Sequence, residues 1–362
     1  MNSKRTALYY PSIDVMNGQW VRQALLYWDE IGSIVPRAIW ESHPYFEAED
    51  LGIGHLIDEG LYRPFIIEDF RQKIPKETGK KFVAEFNLRL NYYKENYDLN
   101  LEQSPYKMFQ SKEIHYQLFE KLIRQGLAKR SMSDSETDYD FGQPVIYVEN
   151  KVANLYMSLL AEYLADNDRS MTIPQTDKQL CLDMAYQNLG GGTGRECLQL
   201  SFEEFLPVPE ENVSIDKILD FKQDNRAELI RFRHLIDSFE IEVSTLANPN
   251  DLRNYIGEKS EEIERSVIDL NQAMNDMRIE TFFGSLKSIV SARKPEWLGI
   301  LTVSGLIGLG TGEYTLCTIG GLAAGATINV GRYLSKRNIE RNEILRDSPY
   351  TYLYKMKKSG IM

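Results

Sequence analysis

With 362 residues the chain is long enough for two or three domains, and 43% hydrophobic and 26% charged residues exclude wholesale disorder. A net charge of −11 argues against a general nucleic-acid binder, because phosphate contacts need a basic face. The charge is uneven: residues 297–362 hold eight Lys and Arg against four Asp and Glu, which leaves −15 on the first 296. A basic tail on an acidic body suits an acidic partner, a lipid surface or the body itself.

Ala7-Leu-Tyr-Tyr-Pro11 reads as a short buried strand stopped by proline. Trp20, Val21, Ala24, Leu25, Trp28 and Ile31 recur at helical spacing, with Gly32 as the stop. Ser33-Ile-Val-Pro36 is expected as a second strand, parallel to the first across that helix. A short helix over 47–59 and an apolar run, Tyr62-Arg-Pro-Phe-Ile-Ile67, continue the strand–helix–strand rhythm of an α/β layer.

Between 113 and 166 the order becomes helix, polar loop, strand, helix. Leu118, Leu122, Ile123 and Leu127 form one helix face, Val145-Ile-Tyr-Val148 a strand, and Val152, Leu155, Tyr156, Leu159, Leu160 and Leu164 a second helix face. A winged-helix-like unit reads this way, as do many small α+β pieces.

Pro207 and Pro209 mark a boundary. Ser214 is then placed to cap a helix running to about 247, with Leu229, Phe232, Ile236, Phe239, Val243 and Leu246 stepping by three and four, as in a coiled-coil seam. After Asn248-Pro249, a further helix shows Ile263, Val267, Leu270, Met274 and Met277 at the same steps. The two are expected to pack antiparallel as a helical hairpin.

Residues 297–331 contain one charged residue, Glu313, in 35 positions. Thr311-Gly-Glu-Tyr314 divides them into two apolar arms of about sixteen residues, shorter than the roughly twenty of a bilayer-spanning helix. Trp297 opens the segment, basic residues flank it, and Gly308-xxx-Gly312 and Gly321-xxx-Gly325 would let two helix backbones approach closely. Three arrangements fit: a packed core hairpin, a permanent membrane hairpin, and a shielded hairpin that inserts conditionally. The third resembles the layout of colicin-type pore-forming domains.

Candidate chemistry is thin. Gly190-Gly-Gly-Thr-Gly194 lacks the lysine of a phosphate loop, since Arg195-Glu196 stands in its place. Asp134, Glu136, Asp138 and Asp140 alternate like a calcium loop, but Phe141 stands where glycine is required and Tyr147 where the closing acid should be. Cys181, Cys197 and Cys317 match no zinc or disulfide spacing and fit a reducing cytoplasm, and no secretion signal is read at the start. His43, His55, His115 and His234 are scattered, with His234 read on a solvated helix face. A ligand of the N-terminal layer would sit beyond the carboxyl ends of its strands, near Asp14 and Glu41. Asp14 and Asp29 are the early acids to mutate, each with a capping or surface role as the plainer alternative.

Ala7-Leu-Tyr-Tyr-Pro11, Ala24-Leu-Leu-Tyr-Trp-Asp29 and Ile34-Val-Pro36 resemble the opening of an uncharacterised bacterial family, a domain of unknown function. Leu206-Pro-Val-Pro209, Ile218-Leu-Asp-Phe221 and Ser348-Pro-Tyr-Thr-Tyr-Leu353 resemble its later parts. The resemblance implies an intracellular bacterial protein of bacteria and their mobile elements, and supplies no active-site residues.

The expected fold is α+β: an N-terminal α/β region (1–206), an antiparallel long-helix hairpin (207–294) and a Gly-rich apolar helical hairpin with a basic tail (295–362). The expected function is non-enzymatic and membrane-associating or membrane-responsive, as a stress or phage-defence effector. A soluble scaffold using the Leu229–Met277 seam is the alternative, and an enzyme with a small-molecule site in the N-terminal layer the third. No cofactor, metal or nucleic acid is expected. Lipid contact and a homo-oligomer are the partners considered, in the cytoplasm or at the inner face of its membrane.

Overall fold

The structure is a computed structural model. It describes residues 4–11, 18–41, 53–73, 76–103, 105–109, 116–130, 139–140, 143–168, 171–177, 206, 208–244 and 345–361, with short pieces between 255 and 270. The chain divides into two compact units. The first is Met1–Asp224 with Ser238–Arg253 and Ile361–Met362, and the second is Asn225–Asp237 with Asn254–Gly360.

The first unit opens with β1 (Arg5–Tyr9), α1 (Gly18–Tyr27), β2 (Glu30–Val35), α2 (Arg37–Glu41), α3 (Ile53–Asp58), β3 (Tyr62–Ile66), α4 (Ile67–Lys73) and α5 (Lys76–Asn96). The expected strand–helix–strand rhythm is present, and β1, β2 and β3 are parallel neighbours. One detail differs from the helical reading of Ile31 and Gly32, which lie inside β2 rather than at the end of α1. The apolar step from Trp28 to Ile31 suits a helix, but both residues are buried as the chain turns straight into a central strand. Gly32 is there because β3 comes close: a Cβ at that position would meet the Arg63 carbonyl oxygen at 2.4 Å.

The chain continues with β4 (Pro105–Phe109), α6 (Tyr116–Arg124), β5 (Ala128–Arg130), β6 (Tyr139–Asp140), β7 (Gln143–Glu149), α7 (Asn150–Asp166) and β8 (Met171–Gln175). Strand β8 returns to the first sheet beside β1, which gives the parallel order β3-β2-β1-β8. Strands β4, β7 and β5 form a separate antiparallel sheet, with β6 also paired to β7. The helix, loop, strand and helix expected for 113–166 are met by α6, β7 and α7, except that Leu127 lies past the end of α6; the stretch expected as loop carries β5 and β6, and β4 pairs with the other side of β7. Helix α6 closes on Gly126 (φ 71°), where the Leu127 amide donates to the Leu122 carbonyl and the Gly126 amide to Ile123.

Helix α7 is buried on nearly every side, as befits a helix enclosed by other layers. Leu155, Tyr156, Leu159 and Leu160 join Leu8, Ile34 and Phe65 of the parallel sheet, Phe82 and Phe86 of α5, and Ile146 and Val148 of β7 in one core. The Glu149 carboxylate caps it, accepting from the Val152 amide at 2.9 Å. Burial pushes the Glu149 carboxyl above its usual range.

Ser214 caps α8 (Ile215–Asp224), accepting from the Lys217 amide at 3.2 Å. The single helix expected from 214 to about 247 is instead two, because Asn225 separates α8 from α9 (Arg226–Ser244). Helix α8 lies against α1, where Lys222 Nζ donates to the carbonyls of Leu25 (2.8 Å) and Trp28 (2.6 Å) at the helix's negative end. Arg22 and Gln23 of α1 donate to the Val213 and Leu206 carbonyls.

In the second unit, Leu229 and Phe232 of α9 are buried and Ile236 is half-buried. Phe232 stacks on Tyr352 of α10 (Thr351–Lys358) at 6.3 Å between ring centroids. Lys355 pairs with Glu228 at 2.8 Å. Ile263 is half-buried and Leu270 buried. The side chain of Phe239, and Val267 and Met274, lie outside the described residues. So does the whole 297–331 segment, with Trp297, Gly308, Gly312, Glu313, Gly321 and Gly325. Among the described residues, no helix is long and apolar enough to cross a membrane.

Candidate functional site

In a parallel sheet of order β3-β2-β1-β8, the chain winds outward from β1 to β2 and β3 on one side and places β8 on the other. The point of reversal lies between β1 and β8, and ligands of open α/β sheets bind outside the carboxyl ends of the strands at such a point. Here those ends are Tyr9, Tyr10 and Pro11 on β1 and Gln175, Thr176 and Asp177 on β8. The Tyr10–Pro11 peptide is cis.

Register assigns the faces. Tyr9 pairs with Gln175 on one side and Ser33 on the other, so the three side chains share one face of the sheet. That face carries α1: the Tyr9 ring meets Trp20 at 4.7 Å between centroids, tilted by 54°. Farther along it, Ser33 Oγ and the Tyr62 hydroxyl lie 2.6 Å apart, and Tyr62 stacks on Trp40 at 6.2 Å. Tyr9 also donates its hydroxyl proton to the Asp177 carboxylate at 2.7 Å.

Gln175 stands apart from these satisfied groups. It is fully buried at 0% exposure, and among the described residues neither its side-chain nitrogen nor its side-chain oxygen has a hydrogen-bond partner. Its backbone is engaged, since the Tyr10 amide donates to the Gln175 carbonyl at 3.0 Å. A buried amide without partners costs about 1–3 kcal/mol on mutational scales, and both ends of this one are unsatisfied. An apolar residue of similar shape would fill the space without that cost.

The acids named from sequence fall elsewhere. Asp14 lies outside the described residues. Asp29 is at the opposite edge of the sheet, where its carboxylate accepts from the Arg5 amide at 3.0 Å, a structural role. Glu41 sits beyond β2 with the Arg37 guanidinium at 3.4 Å, and Arg37 also pairs with Asp69 while its amide donates to Glu68. Glu41 first and Asp69 next hold the Arg37 pKa above its usual value, so this cluster largely satisfies itself. At the amino-terminal edge, Glu30 accepts from Thr6 at 2.7 Å and pairs with Lys4 and Arg63, and Arg63 reaches Asp168 at 2.7 Å. These ions tie strands together far from the carboxyl ends.

His55 approaches Asp216 at 3.3 Å, and His234 is exposed near Asp237, as the sequence places it. His43 and His115, the three cysteines and Gly190–Gly194 lie outside the described residues. Of the alternating acids, Asp140 is in β6 and the others are outside the described residues. Among the described residues no cluster of three or more His, Cys, Asp or Glu could hold a metal.

A family of unknown function (DUF6236) matches residues 96–359, nearly three quarters of the chain. The chain belongs to this family. No curated protein and no solved structure matches it. The matched span of DUF6236 opens at Asn96, the last residue of α5, and takes in α7, β8 and Gln175. Tyr9 and Trp20 precede that span. Sequence reasoning assigned no element to 171–175 and passed over Gln175. Pro174 argues against a strand interior, yet among the described residues β8 is an edge strand, where a missing amide is tolerated.

Proposed function

We propose that the chain is a binding protein that holds a small polar ligand at the carboxyl ends of β1 and β8. The observation that carries this reading is the fully buried Gln175 amide, unpartnered at both ends, at the reversal point of a parallel sheet. The surrounding residues support it: the Tyr9 and Trp20 rings pack together on the same face of the sheet as Gln175, and the Tyr9 hydroxyl donates to Asp177. A thermal-shift screen of small polar metabolites on the full chain tests it. At least one compound should raise the melting temperature of the wild type and leave Gln175→Met unmoved. If every stabilising compound acts equally on both proteins, the ligand site is elsewhere.

A second reading, membrane association as an effector in stress or phage defence, is favoured by the sequence of residues 297–331 and its basic flanks. Co-sedimentation with anionic vesicles tests the association, and a monomeric chain that ignores vesicles without detergent removes it. Expression that changes neither membrane potential nor growth under phage challenge removes the effector role. The scaffold alternative, with Leu229, Phe232, Ile263 and Leu270 in a self-association seam, falls if the chain is monomeric by light scattering at high concentration.

A further inference from the structure

We infer that the ligand is a flat, uncharged molecule bearing an N–H donor beside an acceptor on one edge, as a nucleobase or a primary carboxamide does. This inference rests on the ligand-site reading above and adds the chemistry of what is held.

A glutamine amide presents one acceptor oxygen and one nitrogen with two donor hydrogens, side by side in a plane. At Gln175 both are buried and both are unpartnered, so the occupant must answer both at once. A carboxylate or phosphate offers acceptors only, and would set an oxygen against Oε1. An ammonium or guanidinium offers donors only, and would set hydrogens against Nε2. An edge with one donor and one acceptor satisfies the pair through two parallel hydrogen bonds, the geometry by which glutamine reads adenine.

Two further features fit the same class. Gln175 shares its face of the sheet with Tyr9, whose ring lies 4.7 Å from that of Trp20, and flat π systems stack on such rings. Among the described residues at these strand ends, 9–11 and 175–177, the charged side chain is the Asp177 carboxylate, which would repel a phosphate. A free base, a nucleoside or a carboxamide suits that charge better than a nucleotide, whose phosphates would want positive partners.

Isothermal titration of the full-length chain with matched pairs of probes tests this directly. Adenosine is compared with N6,N6-dimethyladenosine, uridine with 3-methyluridine, and nicotinamide with its N,N-dimethyl amide. Each methylated partner keeps the ring and loses the donor. At least one parent compound should bind, with its methylated partner about 10- to 100-fold weaker, the discrimination expected of a two-bond contact. The nucleoside and nicotinamide arms then identify the source of the edge. Gln175→Met should abolish the difference within the pair, and the comparison on wild-type protein stands even if that variant folds poorly. Equal binding within every pair, no binding by any probe, or tighter binding of acetate or inorganic phosphate would overturn the edge reading. The ligand-site reading survives those results if the thermal screen still yields a compound that depends on Gln175, and falls with them if it does not.

Discussion

Replacing Gly32 with alanine should destabilise the first unit more than any other single-methyl change in its parallel sheet. Gly32 lies in the middle of β2, in register with Leu8 of β1 and Arg63 of β3. The added Cβ would stand 2.4 Å from the Arg63 carbonyl oxygen, 2.6 Å from Phe65 Cε2 and 2.8 Å from Phe65 Cδ2. Carbon–oxygen and carbon–carbon contacts settle at roughly 3.3 Å and 3.5 Å or more, so the neighbours must retreat by about 1 Å. Neither can do so freely. The carbonyl is part of the β2–β3 pairing, and the Phe65 ring is fully buried, stacked on Phe70 at 5.6 Å and covered by the Arg63 guanidinium at 4.5 Å. Overpacking of this kind costs about 1–3 kcal/mol or more, and the entropy gained on replacing glycine returns only about 0.4–1 kcal/mol. A net loss of about 2 kcal/mol corresponds to a drop of roughly 4–8 °C for a unit of this size. Thermal unfolding followed by circular dichroism reads it. Gly79→Ala in α5 is the control, because a Cβ there meets nothing within 4 Å, and it should be stabilising by about 0.5–1 kcal/mol. If Gly32→Ala melts within 2 °C of wild type, roughly the resolution of such a scan, the close approach of β3 is not the reason for glycine.

Removing the α7 cap with Glu149→Ala should cost about 1–2 kcal/mol in urea unfolding, because the Val152 amide would be left buried without its acceptor. In the second unit, a double-mutant cycle of Phe232→Leu and Tyr352→Leu should show a coupling of about 0.5–1.5 kcal/mol, and additive effects would mean the rings do not stack. Burial opposes ionisation of Glu228, but the Lys355 ammonium, the Glu228 backbone amide and Arg231 outweigh it and hold its pKa below the usual glutamate value. Its contribution to stability is therefore present above the unfolded-state pKa and lost as pH falls through the folded one. Glu228→Gln should flatten the acid limb of the stability–pH curve of the chain, and an unchanged limb would remove that pair as a contributor. Glu149 has the opposite sign, since a pKa raised by burial makes stability fall as pH rises past the usual glutamate range, and Glu149→Gln should reduce that fall.

The parallel part of the fold was legible where local pattern and burial coincide. Ala7–Pro11, Ser33–Pro36 and Tyr62–Ile67 are short apolar runs bounded by proline or a turn, and each proved to contain or overlap a strand. The face of α7 was legible for the same reason, because Val152, Leu155, Leu159 and Leu164 repeat at helical spacing in a helix that is buried. Ile31 and Gly32 were misread because a tight turn carries the chain from helix to strand without breaking the apolar rhythm. The interruption at Asn225 escaped because no glycine or proline marks it. Gln175 was the least legible of all. A lone glutamine carries no motif, and its meaning arises only when β8 is laid beside β1 from more than 160 residues away. The resemblance to a family of unknown function is borne out over residues 96–359, which DUF6236 matches; the N-terminal residues quoted for it, with Tyr9 and Trp20, lie before that span.

The most direct test is a high-resolution crystal structure of the full-length chain in complex with the tightest compound from the titrations. The account predicts a planar ring at the carboxyl ends of β1 and β8, with a donor and an acceptor each about 2.8–3.0 Å from the Gln175 amide atoms. A Gln175 amide bonded at both ends by groups of the protein itself, with the ligand bound elsewhere, would contradict it.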